Sequence, residues 1–185
     1  MSRSAYVVMA IVMFFACGTA SGASWSVGSH FEISTIHSER PGSGSSTVVA
    51  WPANAFTYQP AFRIAVGNAS HTGEVLLDSG CFFLDEAGST LNLFVSTLSF
   101  QHTFLAGAST AAFANAGAGI FREGGAARSS TTATFGGGIG VRRIVGEKKG
   151  AVRAELRVDR LHSDNVVGRP ALNVVGLRFG FDLWL

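Results

Sequence analysis

Lysine is close to absent from this 185-residue chain: Lys148 and Lys149 stand side by side against twelve arginines. Soluble domains usually cover their strand exteriors with Lys and Glu, so an ordinary water-facing surface is disfavoured from the start. Cysteine is nearly as scarce. Cys17 falls in the N-terminal leader described below, which leaves Cys81 alone, without an internal disulfide and most simply a lipid-facing or packed side chain. Cys/His spacing for zinc is missing, as are a GxSxG motif and the third glycine that would turn Gly136–Gly140 into a dinucleotide loop, so neither a metal nor a cofactor is expected. The formal charge of +2 is too small to point to nucleic acid. One charge-free stretch, Phe104 to Phe121, is long enough to cross a bilayer as a helix, but its Gly, Ser, Thr and Asn content makes insertion poor and favours a strand.

The N-terminus has the plan of an export signal. Arg3 supplies positive charge, Tyr6 to Phe15 an apolar stretch, and Ser21-Gly-Ala23 a small-residue cleavage site. Cys17, Gly18, Thr19 and Ser21 interrupt the run before it reaches the roughly 20 apolar residues of an anchor. Phe14-Phe-Ala before Cys17 departs from the usual lipoprotein context. The expected organisation is a cleaved leader, residues 1–23, followed by a single domain, residues 24–185.

That domain alternates with a period of two. Val175, Leu177, Phe179, Phe181, Leu183 and Leu185 fall on one face of the final segment, with Gly176, Arg178, Gly180, Asp182 and Trp184 on the other. Seven further stretches behave similarly: Trp25–Thr35, Phe56–Gly67, Glu74–Leu84, Thr90–Phe104, Phe113–Phe121, Thr134–Ile144 and Ala151–Leu161. Pro60 makes the first half of the second stretch irregular. In the fourth, Leu91, Leu93 and Val95 are out of phase with Leu98, Phe100 and Phe104, so a bulge near Ser96 is expected. Connections at Asn68–Thr72, Leu105–Thr110 and Val145–Gly150 are short. Those at Ile36–Ala55, Arg122–Thr131 and His162–Pro170 are longer, and Asp85–Ser89 is a short exception on the long side. Short turns at one end and longer loops at the other form the plan of a transmembrane barrel. The expected fold is all-β: an eight-stranded antiparallel up-and-down transmembrane β-barrel.

Gly136-Gly-Gly-Ile-Gly-Val-Arg-Arg143, a turn, and Arg153-Ala-Glu-Leu-Arg-Val-Asp159 resemble the final hairpins of the OmpA-like small outer-membrane barrels. The last segment is similar to the C-terminal assembly signal of such barrels through Arg178, Gly180, Leu183 and Leu185, although the terminal residue of that family is most often aromatic. The resemblance implies location in the outer membrane, contact with its lipids and lipopolysaccharide, recognition by the barrel-assembly machinery, and a monomer. It implies no particular activity.

With the apolar face outward, the interior would hold His30, Glu32, Arg63, Glu74, Asp78, Arg142, Arg153, Glu155, Arg157, Asp159, Arg178 and Asp182. Opposite charges nearly cancel there, so a salt-bridged plug is favoured over an ion pathway. A soluble ligand-carrying barrel would turn the same alternation inside out. The scarcity of lysine and the glycines at 117, 119, 136, 138 and 140 count against it. A non-enzymatic barrel that supports the envelope or presents loops is therefore expected. One enzymatic alternative rests on His162-Ser163-Asp-Asn165, which faintly resembles the His-x-Ser-Asn motif of PagL-type lipid A deacylases. Here His162 and Ser163 are adjacent, and Gly176 stands where that family has a glutamate. His71 and His102 read as turn or interface residues.

Overall fold

The computed structural model describes residues 23–50, 61–86, 89–107, 109–125, 129–147 and 149–185. Residues 1–22 of the expected export signal, Cys17 among them, and the Phe56–Pro60 half of the second expected strand lie outside the described residues, while Ala23, expected as the last residue of the leader, opens the first strand. Nine strand segments are present: β1 (Ala23–Ser38), β2 (Ser45–Ala50), β3 (Ala61–Asn68), β4 (Gly73–Glu86), β5 (Ser89–Ala106), β6 (Thr110–Gly125), β7 (Ser129–Val145), β8 (Gly150–Leu161) and β9 (Leu172–Trp184). They occupy eight positions around a closed antiparallel barrel, because β2 and β3 both pair with the same side of β1. β2 faces Glu32–His37 and β3 faces Ala23–Ser29. Closure is made by β1 and β9, in unbroken register from Ser26↔Trp184 to Ser38↔Leu172. Because the sheet closes on itself, its strands can satisfy their backbone groups within the hydrocarbon of a membrane.

Phe104 to Phe121 is not a helix. Its two ends belong to β5 and β6, and no helix among the described residues is long and apolar enough to cross a membrane. The bulge expected near Ser96 is absent: Ser96 pairs in register with Ser79 and Ile120, and the shift lies instead between Thr103 and Leu105. Leu93 and Val95 therefore point into the barrel, where Leu93 and Leu172 pack against a buried cluster of Val95, Phe121 and Leu161. Those leucines read as lipid-facing only if every large apolar residue must point outward. At the loop end the interior is itself apolar, and the regular strand wins.

Two of the long loops expected at that end are in part strand. β1 and β2 stay paired out to His37↔Ser45, which leaves 39–44 as the connection. β6 and β7 stay paired out to Gly124↔Ser129. Cross-strand pairing continues through residues whose Ser, Thr and Gly content mimics a loop. The connection from β8 to β9, residues 162–171, is the longest loop fully described.

The exterior is apolar. Phe62, Phe100, Leu98, Ile139, Leu156, Val158, Leu177, Phe179, Phe181 and Leu183 are all exposed. Phe31 and Phe179 lie across the closing seam with ring centroids 6.4 Å apart. Arg63 and Glu155, by contrast, are 2% and 1% exposed. This is the reverse of a soluble carrier, which would bury the apolar face and hydrate the charges.

Candidate functional site: the barrel interior and the loop rim

Each strand sends alternate side chains inward, and the charged ones meet as ion pairs. Arg63 on β3 holds Asp78 on β4 through two parallel bonds, Nε to Oδ1 at 2.7 Å and Nη2 to Oδ2 at 2.8 Å. Arg178 on β9 donates Nε and Nη2 to Glu32 Oε2 on β1, at 3.1 and 2.8 Å. Arg142 on β7 reaches across the barrel to Glu74 Oε2 at 2.5 Å. On β8, Arg153 lies 3.2 Å from Glu155 and 3.3 Å from Asp182, while Arg157 lies 2.7 Å from Asp159 and 3.3 Å from Glu155. A planar guanidinium can serve several carboxylates at once, which an ammonium cannot do with fixed geometry. Removing lysine from the interior is therefore part of how so many charges fit.

Neutral groups complete the network, and the alternation alone did not single them out. Gln101 on β5 donates to Glu74 and accepts from Arg153, at 2.6 and 2.7 Å. Asn115 on β6 donates to Glu155 and accepts from Arg157, both at 2.9 Å. Phe113 presents its ring to the Arg153 guanidinium, 4.4 Å from the centroid. Space for these long side chains comes from glycine. A β-carbon at 138 would stand 2.6 Å from Glu155 Oε1, and one at 140 would stand 2.5 Å from the Phe113 ring. His30 is buried with both ring nitrogens unbonded to protein, and Glu32 Oε1 is in the same condition.

The turn between β3 and β4 folds over one mouth of the barrel. His71 takes a left-handed backbone, φ 53°, uncommon for a residue with a β-carbon. Its ring stacks on Trp184 at 4.3 Å, with Nδ1 3.1 Å from Glu74 Oε1 and Nε2 3.2 Å from Ser24 Oγ. Its carbonyl accepts from Thr103 Oγ1 at 3.0 Å and from Arg142. One turn thus ties together β1, β4, β5, β7 and β9.

At the opposite rim, His162 and Ser163 are both exposed and begin the last loop. His162 leans on Phe135, 5.3 Å between centroids, with no hydrogen bond to Ser163. Its neighbour Asp164 organises the loop instead. Asp164 exchanges two backbone bonds with Arg169 at 2.8 Å, and its carboxylate accepts from Ser130, from Thr132 at 2.9 Å and from the Val166 amide at 2.8 Å. The Ser130 bond, then those from Thr132 and the backbone, hold this carboxyl down to about 2. Outside the wall, Arg160, Asn173 and Glu39 form a bonded trio, and Glu39 is held below the usual carboxylate range first by Asn173 and then by Arg160. Among the described residues no group of His, Cys, Asp and Glu is arranged to hold a metal.

Of the expected assembly residues, Arg178 and Gly180 face the interior, with Gly180 close against the His30 backbone. Leu183 and Leu185 are exposed on the outer face.

A closed antiparallel barrel with an apolar exterior and a charged interior has the fold of a transmembrane β-barrel. Solved structures of that class superpose on this chain. Neisserial surface protein A matches with a TM-score of 0.60 at 16% identity, over 88% of this chain and 99% of its own. Ail of Yersinia pestis, in complex with the heparin analogue sucrose octasulfate, matches with a TM-score of 0.55 at 10% identity, over 88% of this chain and 97% of its own. OprG of Pseudomonas aeruginosa reaches 0.50 at 10% identity, over 89% and 96%. No family model and no curated protein sequence matches. At such identities the likeness is one of fold.

Proposed function

We propose that this protein is a non-enzymatic, monomeric outer-membrane barrel that supports the envelope or presents its rim and last loop to the exterior, with an interior closed by its own ion pairs. The observation that carries the reading is the inversion of polarity: charge inside, bulky apolar groups outside, on a sheet without a free closing edge. The fold shared with outer-membrane barrels supports the same location. The exposed His162 leans on Phe135 rather than bonding Ser163, which counts against a deacylase.

Two measurements test the proposal. The exported protein should fractionate with outer membranes and change its gel mobility on boiling, whereas recovery as a soluble periplasmic monomer would sink it. Lipid A mass spectra should be the same with and without the protein. Loss of an acyl chain that depends on His162 and Ser163 would replace this reading with the enzymatic one.

A further inference from the structure

At the turn end, the outer wall has a shallow, open cleft of about 410 Å³ lined by Leu105, Gly107, Thr110, Ala111, Ala112 and Val141. Its origin is local. The register shift between Thr103 and Leu105 throws Leu105 outward as one wall, Val141 on β7 forms the other, and Ala112 on β6 leaves the floor low. Arg143 is not part of the lining but follows Val141 on the same outward face, is exposed, and pairs across the strands with Thr110, which does line the cleft. Arg143 has no ion-pair partner among the described residues. The other described ionisable groups near this rim are Glu147 and Lys149 in the β7–β8 turn and His102 on β5, all exposed.

An apolar furrow in a lipid-facing wall with an unpaired guanidinium beyond its end is complementary to one kind of molecule: an acyl chain joined to a phosphate headgroup of net negative charge. We infer that this cleft binds one anionic phospholipid of the leaflet on the turn side, with a chain along Ala112 between Leu105 and Val141 and the phosphate on Arg143. Turns of outer-membrane barrels face the periplasm, so the lipid comes from the inner leaflet. The inference rests on the membrane reading above.

Native mass spectrometry of the detergent-extracted protein, mixed with phosphatidylglycerol or phosphatidylcholine, tests it. One phosphatidylglycerol should remain bound about fivefold more often than phosphatidylcholine, the factor expected of a single basic residue beside an anionic lipid. Arg143→Gln should erase that preference, and Ala112→Leu, which fills the furrow, should lower retention of both lipids. Equal retention of the two lipids by the natural protein, or a preference untouched by Arg143→Gln, overturns the inference while heat-dependent gel mobility still reports a folded barrel. A protein that stays folded and soluble without detergent would remove the membrane reading and the lipid site together.

Discussion

At the scale of single residues, the interior is a set of mutual obligations. Arg63 and Asp78 are both buried and hold each other through two bonds. Removing Asp78 leaves the buried Arg63 charged and without its ion-pair partner, at a cost of about 3–5 kcal/mol. Asp78→Leu should therefore lower the urea midpoint of a detergent-refolded barrel sharply, and the double variant Arg63→Met with Asp78→Leu should recover much of the loss. A double variant as unstable as the single one would argue that the pair is not the unit of stability. Asp164 makes a different prediction, read through pH. Its carboxyl titrates near 2 in the folded loop against an ordinary value of 3.8. The bonds it accepts are therefore fully present above about pH 4 and disappear as pH falls through about 2. Protection of the Asp164 and Arg169 amides against hydrogen exchange should drop across that window, and Asp164→Ala should abolish most of it at pH 6. Protection that persists unchanged in the variant would mean that something else pins the loop. Arg63 and Asp78 were legible in the sequence because they sit at one parity of a period-two pattern, whereas Asp164 lies in a loop and was not. His71, which reads as a turn or interface residue, does lie in a turn, but its pairing with Trp184, Glu74 and Ser24 follows from no such periodicity and is set only by the folded chain.

At the scale of elements, strands with one clean phase were easy to read and β5 was not. Leu91, Leu93 and Val95 suggested a lipid-facing row and hence a break at Ser96. The strand is regular there because the loop end of the barrel has its own apolar interior. That misplaced break also hid Gln101 and Thr103, which belong to the same inward parity. Loops were over-read for a related reason: Ser, Thr and Gly near the rim look like turn material, yet backbone pairing runs on through them. β9 carries the element-level prediction. Leu183 and Leu185 project outward beyond the buried Arg178 and Asp182. A charge on this face costs about 2–4 kcal/mol near the bilayer midplane and little at the rim. Deleting Leu183 to Leu185 should thus weaken a refolded barrel modestly. If the segment also serves as an assembly signal, the same deletion should block insertion in cells far more severely. Comparable damage in both settings would reduce β9 to a closing strand.

For the whole molecule, the two ends of the barrel are lined by unlike groups: an apolar cluster below the loops and a folded turn with its ion pairs at the other mouth. Between them lie charges that satisfy one another, so planar bilayers containing the protein should show little or no steady conductance. Large, stable single-channel steps would mean that the same residues line a water path. The turn at the second mouth has an optical consequence. Trp184 comes from the last strand to be made, and the imidazole stacked on it comes from the turn after β3. The two rings can meet only once the first and last strands have found each other. Imidazole contact dims indole emission, so fluorescence from Trp184 should fall at the moment the ring shuts, later than any signal from strand formation. His71→Ala should leave the folded molecule brighter. The chain would then carry within it a dye for its own final folding step.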